Sequence, residues 1–222
     1  MLDFLKKVLL GQHPIAERFK HIRYPELPLL SLDLELTSLD TNIARITSIG
    51  WLTGSNYQVD LASAEYNVIR AKGDLQQSPV IHGLTAKDIK LGAHIRERLH
   101  ILESYVESHV WVLHNAALDM QVLNRLWKDL GLKQVKITTI DTMLLEVYVV
   151  EKAHGLVPKG AVVLDNARKR YGLAATPLHN ALDDALATLT LLYAQLYALN
   201  KRGTFKMTDL AHTGAINTYI LG

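Results

Sequence analysis

The sequence predicts an α/β fold with a mixed central sheet flanked by helices. Three apolar strand candidates follow one another over residues 29–69, which is typical of an antiparallel meander. Beyond Pro79 the strand and helix patterns alternate, as they do where helices connect parallel strands. A chain of 222 residues, 49% of them hydrophobic, is long enough to bury the core that such a fold requires.

The strand candidates are apolar segments bounded by turn residues. The first alternates between leucine and other residues, and Gly54, Ser55 and Asn56 separate the second from the third. The fourth is a short apolar segment of the kind found in buried strands. The five candidates are residues 29–36, 43–52, 58–69, 110–113 and 137–140.

The helix candidates carry apolar residues at helical spacing and end at helix breakers. Gly131 closes one of them, and the last begins after Pro177 and the favourable N-cap residue Asn180. The candidates are residues 86–107 with a break near Gly92, 118–130, about 143–153, 162–171 and 181–199.

These elements divide the chain into three parts. Residues 1–27 form a helical extension, with apolar side chains at helical spacing near the start and breakers at Gly11 and Pro14. Residues 28–200 form the main domain, and residues 201–222 form a C-terminal tail. Either terminal part is a candidate contact for a protein partner.

Composition excludes several classes of chemistry. The chain has no cysteine, which excludes disulfides, thiolate zinc sites, iron–sulfur clusters and cysteine nucleophiles. A net charge of +2 is too small for nucleic-acid binding by bulk charge, so a polyanion must be held locally. No apolar segment approaches the roughly 18 residues that a membrane span needs. We expect a soluble, cytoplasmic protein with no membrane partner.

Two carboxylates occur on one face of the first strand. Alternation places Asp33 and Glu35 together and the neighbouring leucines on the opposite face. Residues i and i+2 of a strand lie about 6.5–7 Å apart, so buried carboxylates there repel unless a proton or cation lies between them. The alternative is an edge of the sheet that faces solvent.

A third carboxylate, Asp119, begins an apolar helix face. It falls on the same stripe as Leu123, Leu126 and Leu130. An acidic residue in the first turn also stabilises a helix by about 0.3–1 kcal/mol through the helix dipole. Both interpretations remain open for this residue taken alone.

The fourth carboxylate, Asp184, lies in the first turn of the last helix. Asn180 and Asp183 have the spacing of helix-capping residues, whereas Asp184 aligns with Leu191 on the side where the helix becomes apolar. His179 precedes the predicted cap, and from a loop position its side chain can serve the same site as Asp184.

Taken together, these four acids predict a metal site. Oxygen ligands without cysteine favour Mg²⁺ or Mn²⁺. Two such ions about 3.5–4 Å apart stabilise the entering and leaving oxygens when a phosphodiester is attacked. The predicted ligands are Asp33, Glu35, Asp119 and Asp184.

Three motifs resemble those of the DEDDh 3′–5′ exonuclease superfamily. They are the DxE of Asp33 and Glu35, the HNxxxD that ends at Asp119, and the HxxxxD of His179 and Asp184. The resemblance covers roughly residues 28–200. In addition, residues 81–85, IHGLT, are similar to a segment of the proofreading epsilon subunit of bacterial DNA polymerase III.

The resemblance implies an RNase H-like fold and the release of nucleoside 5′-monophosphates from 3′ ends. It implies two metal ions, with Asp33 bridging both, Glu35 and Asp184 as further ligands, and Asp119 binding the second ion partly through water. His179 would take the proton from the attacking water, a role that suits an imidazole with a pKa of about 6.5.

The predicted substrate is a single-stranded 3′ end, with DNA favoured over RNA. One departure from the family pattern is Leu36, which stands where many relatives have threonine and resembles the oligoribonucleases. The alternatives are an exoribonuclease of the oligoribonuclease or ribonuclease T kind and a catalytically silent module that binds nucleic acid or protein. The predicted substrate-binding residues are Leu36, Thr37, His82, His114 and Asn115.

Two other features have expected roles. Asp141 is expected to cap the helix that starts near residue 143 rather than to bind metal. Arg168, Lys169 and Arg170 form the densest basic stretch. They form either a solvated helix face or a surface that steers a phosphate backbone, and both interpretations remain open.

Overall fold

The computed structural model of the chain describes residues 15–71, 83–176 and 180–222. Within them the strands form a six-stranded sheet in the order β3-β2-β1-β4-β5-β6. The strands are β1 (Leu29–Leu36), β2 (Ile46–Ser55), β3 (Gln58–Val68), β4 (Val110–Leu113), β5 (Val135–Asp141) and β6 (Ile216–Leu221).

The sheet is mixed, as predicted. The pairs β1–β2 and β2–β3 are antiparallel and form the expected meander. The pairs β1–β4 and β4–β5 are parallel, and β6 is antiparallel to β5. The meander closes through a tight hairpin at Asn56 and Tyr57, both of which have positive φ angles, 52° and 58°, as the twist of a two-residue hairpin favours.

Helices cover both faces of this sheet. They are α1 (Ala86–Leu91), α2 (Ile95–Glu103), α3 (Ala116–Asp129), α4 (Thr142–His154), α5 (Leu164–Arg170) and α6 (Ala181–Leu199). The predicted break at Gly92 is confirmed, because this glycine ends α1. A Cβ there would lie 2.7 Å from the carbonyl oxygen of Val68, so the close approach of the chain to β3 requires glycine.

Two apolar clusters hold the layers together. On one face Leu30, Leu32 and Leu34 of β1 pack with buried residues of α2 and α3. On the other face Leu29 and its neighbours pack against α6. The alternation of β1 therefore directs its remaining side chains, including Asp33 and Glu35, toward the α6 side.

The terminal segments differ from the sequence-based division. In the described part of the extension, residues 15–27, two 3-10 helices occur, and Ile15, Phe19 and Tyr24 are buried in the α6-side cluster. Of the predicted tail, residues 216–221 form β6, which completes the edge of the sheet. Both segments are thus built into the fold, because each buries apolar side chains against the main domain. The predicted helix within residues 1–14 lies outside the described residues.

None of the described helices is long and apolar enough to cross a bilayer.

Candidate active site

Three of the predicted metal ligands converge at the end of β1. Asp33 and Glu35 project from β1, and Asp184 lies in the first turn of α6. One carboxylate oxygen from each residue lies within 4.8 Å of the other two, and Glu35 is only 7% exposed. Strand and helix, 149 positions apart in sequence at Glu35 and Asp184, therefore contribute to a single cluster.

Local sequence explains why α6 begins at this point. Gly50 of β2 pairs with Asp33, and a Cβ at Gly50 would overlap the backbone of Ala181 and Leu182. The start of α6 can therefore lie directly on the sheet beside Asp33. Asn180 caps the helix as predicted, because its side-chain oxygen accepts the N–H of Leu182 at 3.0 Å.

The electrostatics of this cluster favour a bound cation. Burial raises the pKa of Asp33 well above its ordinary value, and repulsion from Asp119, Glu35 and Asp184 raises it further. Burial and the Asp184 charge raise the pKa of Glu35 to about 7. Carboxylates in this state bind either protons or a metal ion, and a divalent ion relieves both the desolvation and the repulsion.

Asp119 lies near this cluster but is not one of the three residues whose carboxylate oxygens lie within 4.8 Å of one another. It is 5% exposed in the first turn of α3. Burial, together with the charges of Asp141 and Glu35, raises its pKa well above the ordinary value. Among the described residues, the group whose oxygens approach within 4.8 Å contains Asp33, Glu35 and Asp184, and Asp119 acts on it through its charge.

The donor set fits a hard divalent ion. All three converging ligand atoms are carboxylate oxygens, which Mg²⁺ and Mn²⁺ prefer, and no thiolate is available. A cavity of about 380 Å³ opens onto the cluster and leaves room for a substrate phosphate. Its lining residues are Asp33, Leu34, Glu35, His114, Val163, Leu164, Asp165 and Asp184.

Asp165 in this lining was not singled out from the sequence. It lies in the first turn of α5, where an acidic residue is common for reasons of helix stability alone. Its spacing to the other acids carries no motif, so only the fold brings it to the cavity.

Asp141 is a structural centre beside the site. Its carboxylate accepts the N–H groups of Met143 and Leu144 at 2.9 and 3.2 Å, which confirms the predicted cap of α4. It also accepts the N–H groups of Asn115 and Ala116 at 3.1 and 2.9 Å, so it caps the start of α3 as well. This second role was not visible in the sequence, because the two helix starts are 26 residues apart.

Two predicted substrate-binding residues lie at this junction. Asn115 has a φ of +73°, a left-handed conformation that turns the chain from β4 into α3. His114 lines the cavity, with its Nε2 atom 3.0 Å from the carbonyl oxygen of Val162 and its Nδ1 atom 2.8 Å from the hydroxyl of Thr142.

The hydrogen-bond partners of His114 determine which nitrogen of its imidazole carries the proton. A carbonyl oxygen only accepts, so Nε2 carries the proton, and burial lowers the imidazole pKa toward the neutral form. Nδ1 then accepts from Thr142. The ring holds the segment before α5 against the site, so both of its nitrogens are already occupied by the protein.

Leu36 and Thr37 follow Glu35 at the end of β1. Leu36 packs against the cluster on the α2 and α3 face, the side opposite Asp33. Thr37 exchanges two bonds with Arg45, at 3.0 Å each, and so fixes the loop between them. Substrate contacts by these residues, and by His114 and Asn115, remain predictions. His82 and His179 lie outside the described residues.

The basic stretch belongs mainly to the scaffold. Arg168 is buried and donates to the carbonyl oxygens of Ala187 and Ala174 at 2.7 and 2.9 Å. Arg170 donates to Glu146 at 2.6 Å. Of the three residues, only Lys169 forms no such hydrogen bond in the described part of the chain. The bonds of Arg168 and Arg170 to the protein argue against a role of this stretch in steering a phosphate backbone.

Comparisons with known proteins agree with this geometry. The model of the exonuclease family RNase_T matches residues 30–192, well over half of the chain. The PolC-type DNA polymerases III of Thermotoga petrophila and Thermotoga maritima are each 28% identical over 182 residues, 81% of this chain and 12% of the relative. The chain thus spans about an eighth of the length of these curated relatives.

Solved structures share the fold. Cell-death related nuclease 4 matches with a TM-score of 0.65 at 10% identity, covering 89% of this chain and 82% of that one. Exonuclease I of E. coli in complex with a dA16 oligonucleotide matches with a TM-score of 0.63 at 14% identity, covering 80% and 42%. The sheet order and these neighbours confirm the RNase H-like fold, and the chain belongs to the RNase_T exonuclease family.

Proposed function

We propose that the chain removes nucleoside 5′-monophosphates from the 3′ end of single-stranded nucleic acid with the help of two divalent metal ions. The observation that carries this proposal is the convergence of Asp33, Glu35 and Asp184 within 4.8 Å beside an open cavity. Burial and the neighbouring charges raise the pKa of Asp33 and Glu35, so the cluster favours a bound cation.

In this proposal Asp33 would be shared by the two ions, and Glu35, Asp184 and Asp119 would complete their ligands. Mg²⁺ or Mn²⁺, when bound, would activate a water and stabilise the charge on the entering and leaving oxygens. Val163 and Leu164 add apolar side chains to the wall of the cavity beside these residues. Each of the four carboxylates projects from a regular strand or helix, which fixes its position at the site.

His179 is the proposed general base. The support is its place in the sequence, directly before the capping residue Asn180 and five positions before Asp184. From this place in the sequence, we expect its side chain to serve the same site as the first-turn carboxylate. An imidazole in that role would take the proton from the attacking water near neutral pH.

A single-stranded DNA substrate is favoured by the exonuclease I complex with dA16, which belongs to the same fold. Leu39 is 83% exposed on the loop after β1 and offers an apolar surface to a terminal base. A second candidate, an exoribonuclease of the oligoribonuclease or ribonuclease T kind, is favoured by Leu36 in place of the usual threonine. A protein partner at residues 1–27 or 201–222 also remains a proposal.

A direct assay tests the proposed function. We expect 5′-labelled oligothymidylate to shorten stepwise from its 3′ end in Mg²⁺ or Mn²⁺, with mononucleotides as the product. Oligouridylate of the same length compares DNA with RNA, and EDTA and Asp33→Asn serve as controls. Metal-independent release, or products of internal cleavage, would contradict the proposal.

A further inference from the structure

We propose that a second groove, lined by Arg45, Arg70 and Arg125, binds the sugar–phosphate backbone of the single strand upstream of its 3′ end. This inference rests on the proposed function, because the groove would hold the same strand that enters the active site. It assigns a binding role to residues that lie outside the metal cluster and its cavity.

The groove is cationic around an apolar floor. Its volume is about 350 Å³, and it lies between the end of the meander, α2 and α3. Among the residues that the structure describes, three guanidinium groups and no carboxylate line it. The lining residues are Ala44, Arg45, Ile46, Ile69, Arg70, Ala71, Ile95, Arg125 and Leu126.

The three arginines differ in their interactions with the rest of the protein. Arg125 donates to the carbonyl oxygens of Asn42 and Ala44, so it is fixed in place and holds the loop after β1. Arg45 and Arg70 are exposed, and neither forms a salt bridge with a carboxylate of residues 15–71, 83–176 or 180–222. Their guanidinium groups are thus accessible to solvent at the groove, whose apolar floor includes Ile46 and Ile69.

The loop at the end of β1 links the groove to the candidate active site. Glu35 of the cluster and Thr37 are two positions apart in the chain. Thr37 exchanges two hydrogen bonds with Arg45 of the groove, at 3.0 Å each. Because the groove lies on the α2 and α3 face and the carboxylates on the α6 side, the proposed strand passes round the end of β1 to reach Arg45.

The lining identifies the chemical class of ligand. Guanidinium groups bind phosphates as charged forks, and the aliphatic floor accepts sugars and base faces without regard to sequence. The described part of the lining contains no asparagine, glutamine, aspartate or glutamate to read base edges. We therefore assign it to the backbone of single-stranded nucleic acid rather than to a specific sequence or to an acidic protein.

Binding to strands of two lengths tests this assignment. In an Asp33→Asn background, which prevents cleavage, fluorescence anisotropy compares oligothymidylates of about 4 and about 16 nucleotides. The double variant Arg45→Gln and Arg70→Gln should weaken binding of the longer strand about 10-fold or more and reduce its salt slope by about 1.4, the value for two phosphate contacts on a single strand. Binding of the shorter strand should change by less than about twofold.

A matched control removes the same charge elsewhere. Lys201 and Arg202 are exposed in the loop after α6, near Pro25 and the β2–β3 hairpin, at the opposite end of the sheet from Glu35. Their double replacement by glutamine should leave binding of both strands unchanged. Equal loss in both double variants, or equal loss for both strand lengths, would overturn the groove assignment.

The design separates the two proposals. Failure of the wild type to release mononucleotides would remove the proposed function, while an arginine-dependent effect of strand length would still support the groove. Normal release with an unchanged affinity and salt slope in the double variant would remove the groove alone. Displacement of the strand by polyglutamate at matched charge concentration would favour an acidic polypeptide as the ligand and contradict our assignment. Thermal melting of each variant confirms that it is folded.

Discussion

Two groups of buried carboxylates occur in the described part of the chain, and their charges are stabilised in different ways. Asp141 accepts four backbone N–H groups, and Glu146 accepts bonds from Arg170, Tyr171 and Gln195. We call these two residues the scaffold acids. In the metal cluster, by contrast, burial and the charge of Asp184 raise the pKa of both Asp33 and Glu35.

The difference shows that burial alone does not identify a functional carboxylate. A buried charge is tolerated when protein donors replace its lost hydration, as they do for the scaffold acids. In the metal cluster, the carboxylates repel one another, and a bound cation would offset their negative charge. The scaffold acids need no such ligand, because hydrogen bonds from the protein already stabilise them.

The largest effect should follow from removing a cluster acid. We expect Asp33→Ala to lower the rate of mononucleotide release about 10⁴-fold, or about 5 kcal/mol, because the bridging ligand positions both ions. Single-turnover assays in Mg²⁺ measure this rate. Asp129→Asn, an exposed carboxylate change at the end of α3, serves as the control and should have no effect. Retention of activity within about tenfold would contradict the assignment of Asp33.

The next effect should follow from removing a scaffold acid. Glu146→Ala removes the carboxylate partner of the buried Gln195 and of the exposed Arg170, and should lower the free energy of unfolding by about 3 kcal/mol. Urea denaturation measures the loss, and Glu151→Ala, exposed on the same helix, is the control. Calorimetry on the folded variant should show Mg²⁺ affinity within about twofold of the wild type. If the variant loses more free energy of metal binding than of unfolding, Glu146 contributes to the metal site and the distinction between the two groups fails.

A smaller effect should appear in the pH dependence of stability. The pKa of Glu35 is about 7 in the folded protein and near 4.5 when exposed, so the folded state holds more protons between these values. Without metal, stability should therefore fall as pH rises from about 4.5 to about 7, with Glu35 contributing about 2–3 kcal/mol. The measurement is the difference in urea unfolding between wild type and Glu35→Gln in EDTA.

Metal should reverse this trend. Mg²⁺ competes with protons for the same oxygens, so its stabilising effect should be larger at about pH 8 than at about pH 5.5. An effect of Mg²⁺ that is independent of pH would place the ion away from Glu35.

The smallest effects should follow from replacing one aspartate by asparagine in each group. In EDTA at about pH 8, Asp33→Asn should stabilise the protein by about 1–2 kcal/mol, because it removes a repelled charge. Asp141→Asn should destabilise it by about the same amount, because the amide cannot accept all four N–H groups. Thermal melts of the two variants give the comparison. Destabilisation by both would mean that the two regions do not differ in the way described.

The sequence alone determined much of the fold and most of the cluster. Period-two alternation placed Asp33 and Glu35 on one face, since neighbouring side chains of a strand always point to opposite sides. Asn180 marked the start of α6 through capping chemistry, which depends only on residues three positions away. The motifs then identified the family, because their order and spacing are properties of the chain itself.

Only the tertiary structure decided which charged residues meet. Arg168 and Arg170 bond to Ala187 and Glu146, which lie 19 and 24 positions away in sequence, so no local pattern identifies these partners. Residues 216–221 joined the sheet because β5 offered an open edge, and no pattern within the segment identifies that partner. Local periodicity and capping act over a few residues, whereas these pairings depend on how distant elements pack, so the sequence nominates the candidate residues and the fold selects among them.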